Sequence, residues 1–144
     1  MSDSACSINV NDCAEANLDV QYLTAVSQLT PTTYYYWGSM TDLWVGFLID
    51  VSSRRGSSTT PLVISISYGG PEYQFSSIYL HSFRIEALKL AAQGVTIVAS
   101  SGDDGANCAA GLCSTSALCG YYPMFPASSP LVTAVGATQV ERDA

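Results

Sequence analysis

Glu15 and Asp19 stand four residues apart in EANLDVQYL, a stretch patterned as the start of an amphipathic helix. On a helix such a pair shares one face with Cβ atoms about 5–6 Å apart, and two like charges there destabilise by about 0.2–0.5 kcal/mol. Carboxyls this close titrate as a unit and hold a proton between them, which is one way to build a catalyst for acid media. Spacing alone also fits a plainer role, acidic residues in an exposed first turn favoured by the helix dipole.

Asp103 is the other carboxylate placed to do chemistry. It lies in SGDDG, Ser101 to Gly105, a glycine-flanked turn directly after the run TIVAS. Such a turn can aim an aspartate into a cleft, and aspartate equally tolerates turn geometry for its own sake. SYGG, Ser67 to Gly70, closes the run LVISIS in the same way, and its glycines let the backbone approach a neighbour closely. His81, the single histidine, falls inside the most clearly helical stretch, where a surface or half-buried position is expected and a catalytic role is not. The five cysteines, Cys6, Cys13, Cys108, Cys113 and Cys119, form two groups with no C-x-x-C spacing for zinc. An odd count leaves one thiol free or paired outside the chain, and the pattern favours an oxidising compartment.

The elements that must position these residues follow from hydrophobic period. Met1 to Ala14 is rich in Ser, Asn and Asp and reads as a loop or severed end. From Glu15 the set Leu18, Tyr22, Val26 and Leu29 keeps helical spacing until Thr30 and Pro31 stop it. TTYYYW, Thr32 to Trp37, is β-branched and aromatic, which predicts a buried strand. Thr41 is placed to cap a second helix through Ser52, with Asp42 in its first turn and Leu43, Phe47 and Val51 on one face. Ser53 to Thr60 is a polar loop. Leu62 to Ser67 is a core strand, and Ser76 to Gln93 a long helix, with Ile78, Phe83, Ile85, Leu88 and Ala92 in helical recurrence and Gly94 as its stop. Thr96 to Ser100 is the next strand. The proline-punctuated YYPMFPASSP, Tyr121 to Pro130, leads to a last strand, LVTAV.

Strands alternating with helices over short links predict a mostly parallel sheet with helices on its faces. In such sheets sites form beyond the carboxyl ends of the strands, which is where SYGG and SGDDG fall. At 144 residues and 48% hydrophobic the chain can bury a core. Five Lys and Arg against twelve Asp and Glu give a net charge of -7 with no basic cluster, so nucleic acid is not an expected partner. No apolar run reaches membrane-spanning length, so no membrane partner is expected either. MSDSACS has neither a basic nor an apolar leader region, so export is not encoded in this piece.

Taken together, EANLDVQYL, ISISYGG, VASSGDDGANC and FPASSPLVTAVGAT resemble the sedolisin family, the serine-carboxyl peptidases, in order and in approximate spacing. The resemblance runs from Glu15 to Thr138. It implies a subtilisin-like three-layer αβα fold, incomplete in this chain, so that 1–144 is the N-terminal part of a peptidase catalytic domain. Carried over by position, Glu15 matches the family's general base, Asp19 the second carboxylate that orients it, and Asp103 the oxyanion-stabilising aspartate. Ser67, Tyr68 and Gly69 are then one wall beside an extended peptide substrate, and Ser100, Ser101 and Gly102 the opposite wall. A carboxylate base has a reference pKa near 4 where imidazole has one near 6.5, so such a triad accepts a serine proton in acid. An aspartate helps an oxyanion only when protonated and donating, which acid also favours. The resemblance thus implies peptide or protein substrates and a secreted, lysosomal or vacuolar setting.

In one respect the chain departs from the family. The nucleophile of that family sits in a Gly-Thr-Ser-Ala segment, and calcium is bound further on still; neither segment is found here. Ser114 to Ala117 reads Ser-Thr-Ser-Ala, but it precedes FPASSP, lacks the leading glycine and is bracketed by Cys113 and Cys119, so Ser116 is not expected to attack. The missing C-terminal part of the domain is an implied partner, no cofactor is expected in this chain, and calcium is implied only for the complete domain. Two readings of other classes remain. One is a non-catalytic binding module on the same scaffold. The other is a flavodoxin-like ligand domain, against which the two aspartates after TIVAS would repel an anion. The chain alone is expected to cleave no peptide between about pH 3 and 6; cleavage that disappears in Ser116→Ala would overturn this.

Overall fold

The structure is a computed structural model that describes residues 11–38, 41–54, 60–103, 105 and 122–138. The chain divides into two compact units, Met1–Gly38 and Ser39–Ala144. In the first, helix α1 spans Asn11–Ser27. It starts four residues before Glu15, so Asn11 to Ala14 is helix rather than the expected loop. The Ala residues at 14 and 16 favour helix there, outweighing the polar composition that read as loop. Its last turn is closed by hydroxyls bonding back to the backbone, Thr24 to the Val20 carbonyl and Ser27 to the Leu23 carbonyl, both at 2.6 Å. Gln28 then takes φ 45°, a left-handed cap, and the chain leaves the helix before Pro31. The apolar row Leu18, Tyr22, Val26 and Leu29 remains exposed.

TTYYYW is not a strand. Thr32 to Trp37 has no assigned regular structure, and Tyr36 is 68% exposed. A β-branched, aromatic run needs a partner for its backbone groups before it can become a strand, and among the described residues no ladder includes it.

The second unit holds the sheet. Strands β1 (Val63–Ile66), β3 (Thr96–Ser100) and β5 (Thr133–Val135) are all parallel, in the order β1-β3-β5. The register sets Val63 opposite Thr96 and Val98 opposite Thr133. The expected α/β class with a parallel sheet is thus what the structure has. A separate antiparallel ribbon pairs β2 (Gly70–Pro71) with β4 (Met124–Phe125), inside a stretch whose prolines read as loop. Two-residue strands carry too little period to be legible.

Helix α2 (Val45–Ser53) begins later than Thr41, because its first amides are satisfied from elsewhere. The Asp42 carboxylate accepts from the Gly46 N–H at 2.9 Å, and the Tyr79 hydroxyl accepts from Trp44 and Val45 at 3.1 and 3.4 Å. Helix α3 (Ser77–Ala92) has the expected ends: Ser76 caps it by accepting from the Tyr79 N–H at 3.2 Å, and Gly94 takes φ 83° just past it. Its buried face shares only Phe83 with the one expected. Phe83, Ala87 and Leu90 point into the core, while Ile78, Ile85 and Leu88 are exposed and Ala92 lies at the surface. Both rows have helical spacing, so period alone could not choose between them.

The core joins Trp44, Leu48 and Val51 to the α3 face, to Ile64 and Ile97 of the sheet, and to Phe125. Phe83 is fully buried and Ile78 is 78% exposed. Phe83→Ala is therefore expected to lower unfolding free energy by about 3–5 kcal/mol, and Ile78→Ala to change it by less than about 0.5 kcal/mol. Urea unfolding of both variants checks the assignment of the buried face.

Candidate active site at the strand ends

Because β1, β3 and β5 are parallel, their carboxyl ends share one edge of the sheet. β1 runs out into Ser67, Tyr68 and Gly69. β3 ends on Ser100 and runs into Ser101, Gly102 and Asp103. Ile66 pairs with Ala99, so the two expected walls leave adjacent strands at nearly the same level. The ladder to β5 extends one residue further, with the Ser101 N–H donating to the Val135 carbonyl at 3.0 Å.

Two glycines at this edge are required by their surroundings. A Cβ on Gly69 would lie 2.8 Å from the Phe125 carbonyl oxygen, closer than real contacts allow. Gly102 takes φ 92°, and a Cβ there would meet the Met124 side chain at 3.3 Å. The residues directly beneath both walls are therefore Met124 and Phe125 of β4. Tyr68 reaches outward, 56% exposed, with its ring centroid 6.4 Å from that of Trp44. Asp103 is exposed in the turn that Gly102 opens.

Glu15 and Asp19 both lie on the continuous helix α1, so the four-residue spacing does place them on one face. Glu15 is exposed and Asp19 half-buried. They belong to the first unit, and Asp103 with the two walls to the second. The structure thus brings Ser67, Tyr68, Gly69, Ser100, Ser101, Gly102 and Asp103 to one edge of one unit, and keeps Glu15 and Asp19 together on the other. His81 is exposed on α3. Cys13 is buried and disulfide-bonded. Ser116 and the cysteines Cys6, Cys108, Cys113 and Cys119 lie outside the described residues. Among the described residues no three His, Cys, Asp or Glu side chains converge to hold a metal. No helix among them is long and apolar enough to cross a membrane.

Met124, Phe125 and Trp44 escaped the sequence reading of the site. Their only signal was the density of aromatic residues and prolines around Phe125, which period analysis reads as punctuation.

No family model matches the chain. Tripeptidyl-peptidase 1 of Mus musculus is 39% identical over 124 residues, 86% of this chain and 21% of the relative. The Homo sapiens protein of the same name is 38% identical over 127 residues, 88% of this chain and 22% of the relative. The chain therefore spans about a fifth of the length of these curated relatives. Among solved structures, Pseudomonas sedolisin, a serine-carboxyl proteinase complexed with pseudo-iodotyrostatin, is 28% identical with a TM-score of 0.49, over 69% of this chain and 26% of that one.

The glycine at the Phe125 carbonyl can be tested directly. Gly69→Ala is expected to destabilise the chain by about 1–3 kcal/mol, since backbone rather than a flexible side chain must move. At Gly136 the nearest atom to a Cβ is 3.7 Å away, an ordinary contact, and Gly136→Ala should stay within about 0.5 kcal/mol of the parent in the same denaturant titration.

Proposed function

We propose, from the similarity to tripeptidyl-peptidase 1 and the resemblance of its motifs to the serine-carboxyl peptidases, that the chain carries the acid–base and oxyanion groups of a serine-type peptidase working on peptides or proteins in acid. The homology supports peptidase function in general. The observation that carries the finer reading is the convergence of Ser67–Gly69 and Ser100–Asp103 at the carboxyl ends of adjacent parallel strands. Two walls leaving neighbouring strands at one level make a slot for an extended peptide backbone, and Asp103 stands in the turn that continues one of them.

In this mechanism a serine hydroxyl from elsewhere in the protein attacks the scissile carbonyl. The Glu15 carboxylate takes the hydroxyl proton, and later returns it to the leaving amine. Asp19, one turn further along the same helix face, holds that carboxyl in place and adds negative charge beside it. The Asp103 carboxyl, protonated, donates to the oxygen that becomes negative in the tetrahedral intermediate. A carboxylate can accept a serine proton in a medium where imidazole is already charged, and acid favours a carboxylic acid that donates, so both roles suit acid. The disulfide at Cys13 supports an oxidising setting, secreted or within a lysosome or vacuole.

The test uses the full-length protein that contains this chain, assayed on peptides in mild acid. Glu15→Gln is expected to lower kcat by about a thousandfold, and Asp103→Asn by about a hundred- to a thousandfold, with smaller changes in KM. A fully active Glu15→Gln enzyme refutes the base assignment.

A further inference from the structure

We propose that Glu72 is a positioning residue for the strand-end cleft, acting through Ser128 on the short segment against which both walls rest. The cleft's purpose here is that of the peptidase reading above; its geometry stands independently of that reading.

The segment in question is β4. The Phe125 carbonyl faces Gly69 of one wall, and the Met124 side chain lies against Gly102 of the other. Any displacement of β4 along or away from the sheet edge therefore moves the support of both walls at once. Its ladder partner is weak, since β2 has only two residues, Gly70 opposite Phe125 and Pro71 opposite Met124, and Pro71 has no N–H to give. Something else must hold β4 in place.

Glu72 does this at two points. Its backbone N–H donates to the Pro123 carbonyl at 2.9 Å, just before β4. Its side-chain carboxylate accepts the hydroxyl of Ser128, just after β4 and 56 residues away in sequence. The far side is a closed turn, in which the Ser128 N–H donates to the Met124 carbonyl at 2.8 Å and the Ser129 N–H to the Pro126 carbonyl at 3.0 Å. One residue thus grips both ends of the segment, and the side-chain grip is a half-buried, charge-assisted bond of the stronger kind. Released from it, β4 keeps its two ladder residues, the burial of Phe125 and Pro126 and the Glu72–Pro123 backbone bond, but its far end loses its tie to Glu72. The slot between Gly69 and Gly102 then has no single width, and a peptide entering it must order the walls as it binds.

A purely structural bond would show itself in stability alone, whereas a positioning bond also shows in the split between KM and kcat. In the full-length protein, Ser128→Ala and Glu72→Ala should each raise KM for peptides about five- to tenfold with kcat within about twofold of the parent. The double variant should be no worse than either single one, because both remove the same bond. Ser128→Thr, which keeps the hydroxyl, and Glu72→Gln, which keeps an accepting oxygen, should recover most of the loss. Additive effects in the double variant, a loss confined to kcat, or no recovery in Ser128→Thr would overturn the proposal.

If the parent protein cleaves no peptide, the peptidase reading falls, and the grip is judged on the 144-residue chain by amide hydrogen exchange. Ser128→Ala should then speed exchange of the Glu72 amide about tenfold while Ile97 and Val98 in β3 keep the parent rate. An unchanged Glu72 amide refutes the grip.

Discussion

Phe125 is the constraint on which the rest of the second unit depends. It is 2% exposed, and its ring meets those of Trp44, Phe75 and Phe83 at centroid distances of 5.2, 5.1 and 4.8 Å. The contacts with Trp44 and Phe83 are edge-to-face and that with Phe75 is tilted, and such ring pairs add to area burial. Its carbonyl oxygen faces Gly69, 2.8 Å from where a Cβ there would lie. A packing decision in the core is thereby converted into the position of a backbone wall at the sheet edge. Met124, one residue earlier, points to the other wall because successive side chains in extended backbone alternate.

Much of this unit was legible before any coordinates. β3 matches its expected span because TIVAS is β-branched, short and closed by a glycine turn, all local signals. The ends of α3 were legible for the same reason, a serine cap and a left-handed glycine being chemistry of one or two residues. The buried face of α3 was legible only at Phe83, since Ile78, Ile85 and Leu88 compete with Ala87 and Leu90 and only the neighbouring elements decide. TTYYYW failed similarly. Its composition states what it can do in a sheet, and pairing is a property of two segments. Of the site, the glycine turns after β1 and β3 were readable from residue types, while the layer beneath them, Met124 and Phe125, came from a stretch that looked like punctuation.

The first unit poses the opposite balance. The spacing of Glu15 and Asp19 survives intact because a continuous helix needs no distant partner to set which residues share a face. The apolar row beside them, Leu18, Tyr22, Val26 and Leu29, is exposed. An amphipathic pattern specifies that a face will be buried; it does not supply the surface that buries it. Leu18, Tyr22 and Val26 lie on the same helix as the acidic pair, and Leu29 follows its end.

The Tyr79 hydroxyl that closes the start of α2 has a consequence for how the unit assembles. At nine residues α2 is too short to persist alone in water, where the nucleating turn is unfavourable and each added residue gains little. Asp42 serves one of its leading amides locally, but the acceptor for Trp44 and Val45 sits on α3, 35 and 34 residues away in sequence. α2 is therefore completed only once α3 has docked, and unfolding of α3 strips the amides of Trp44 and Val45 at its start of their acceptor in the same event. The two helices behave as one cooperative foldon, and the indole of Trp44, at their junction, would report its opening and closing as a single transition.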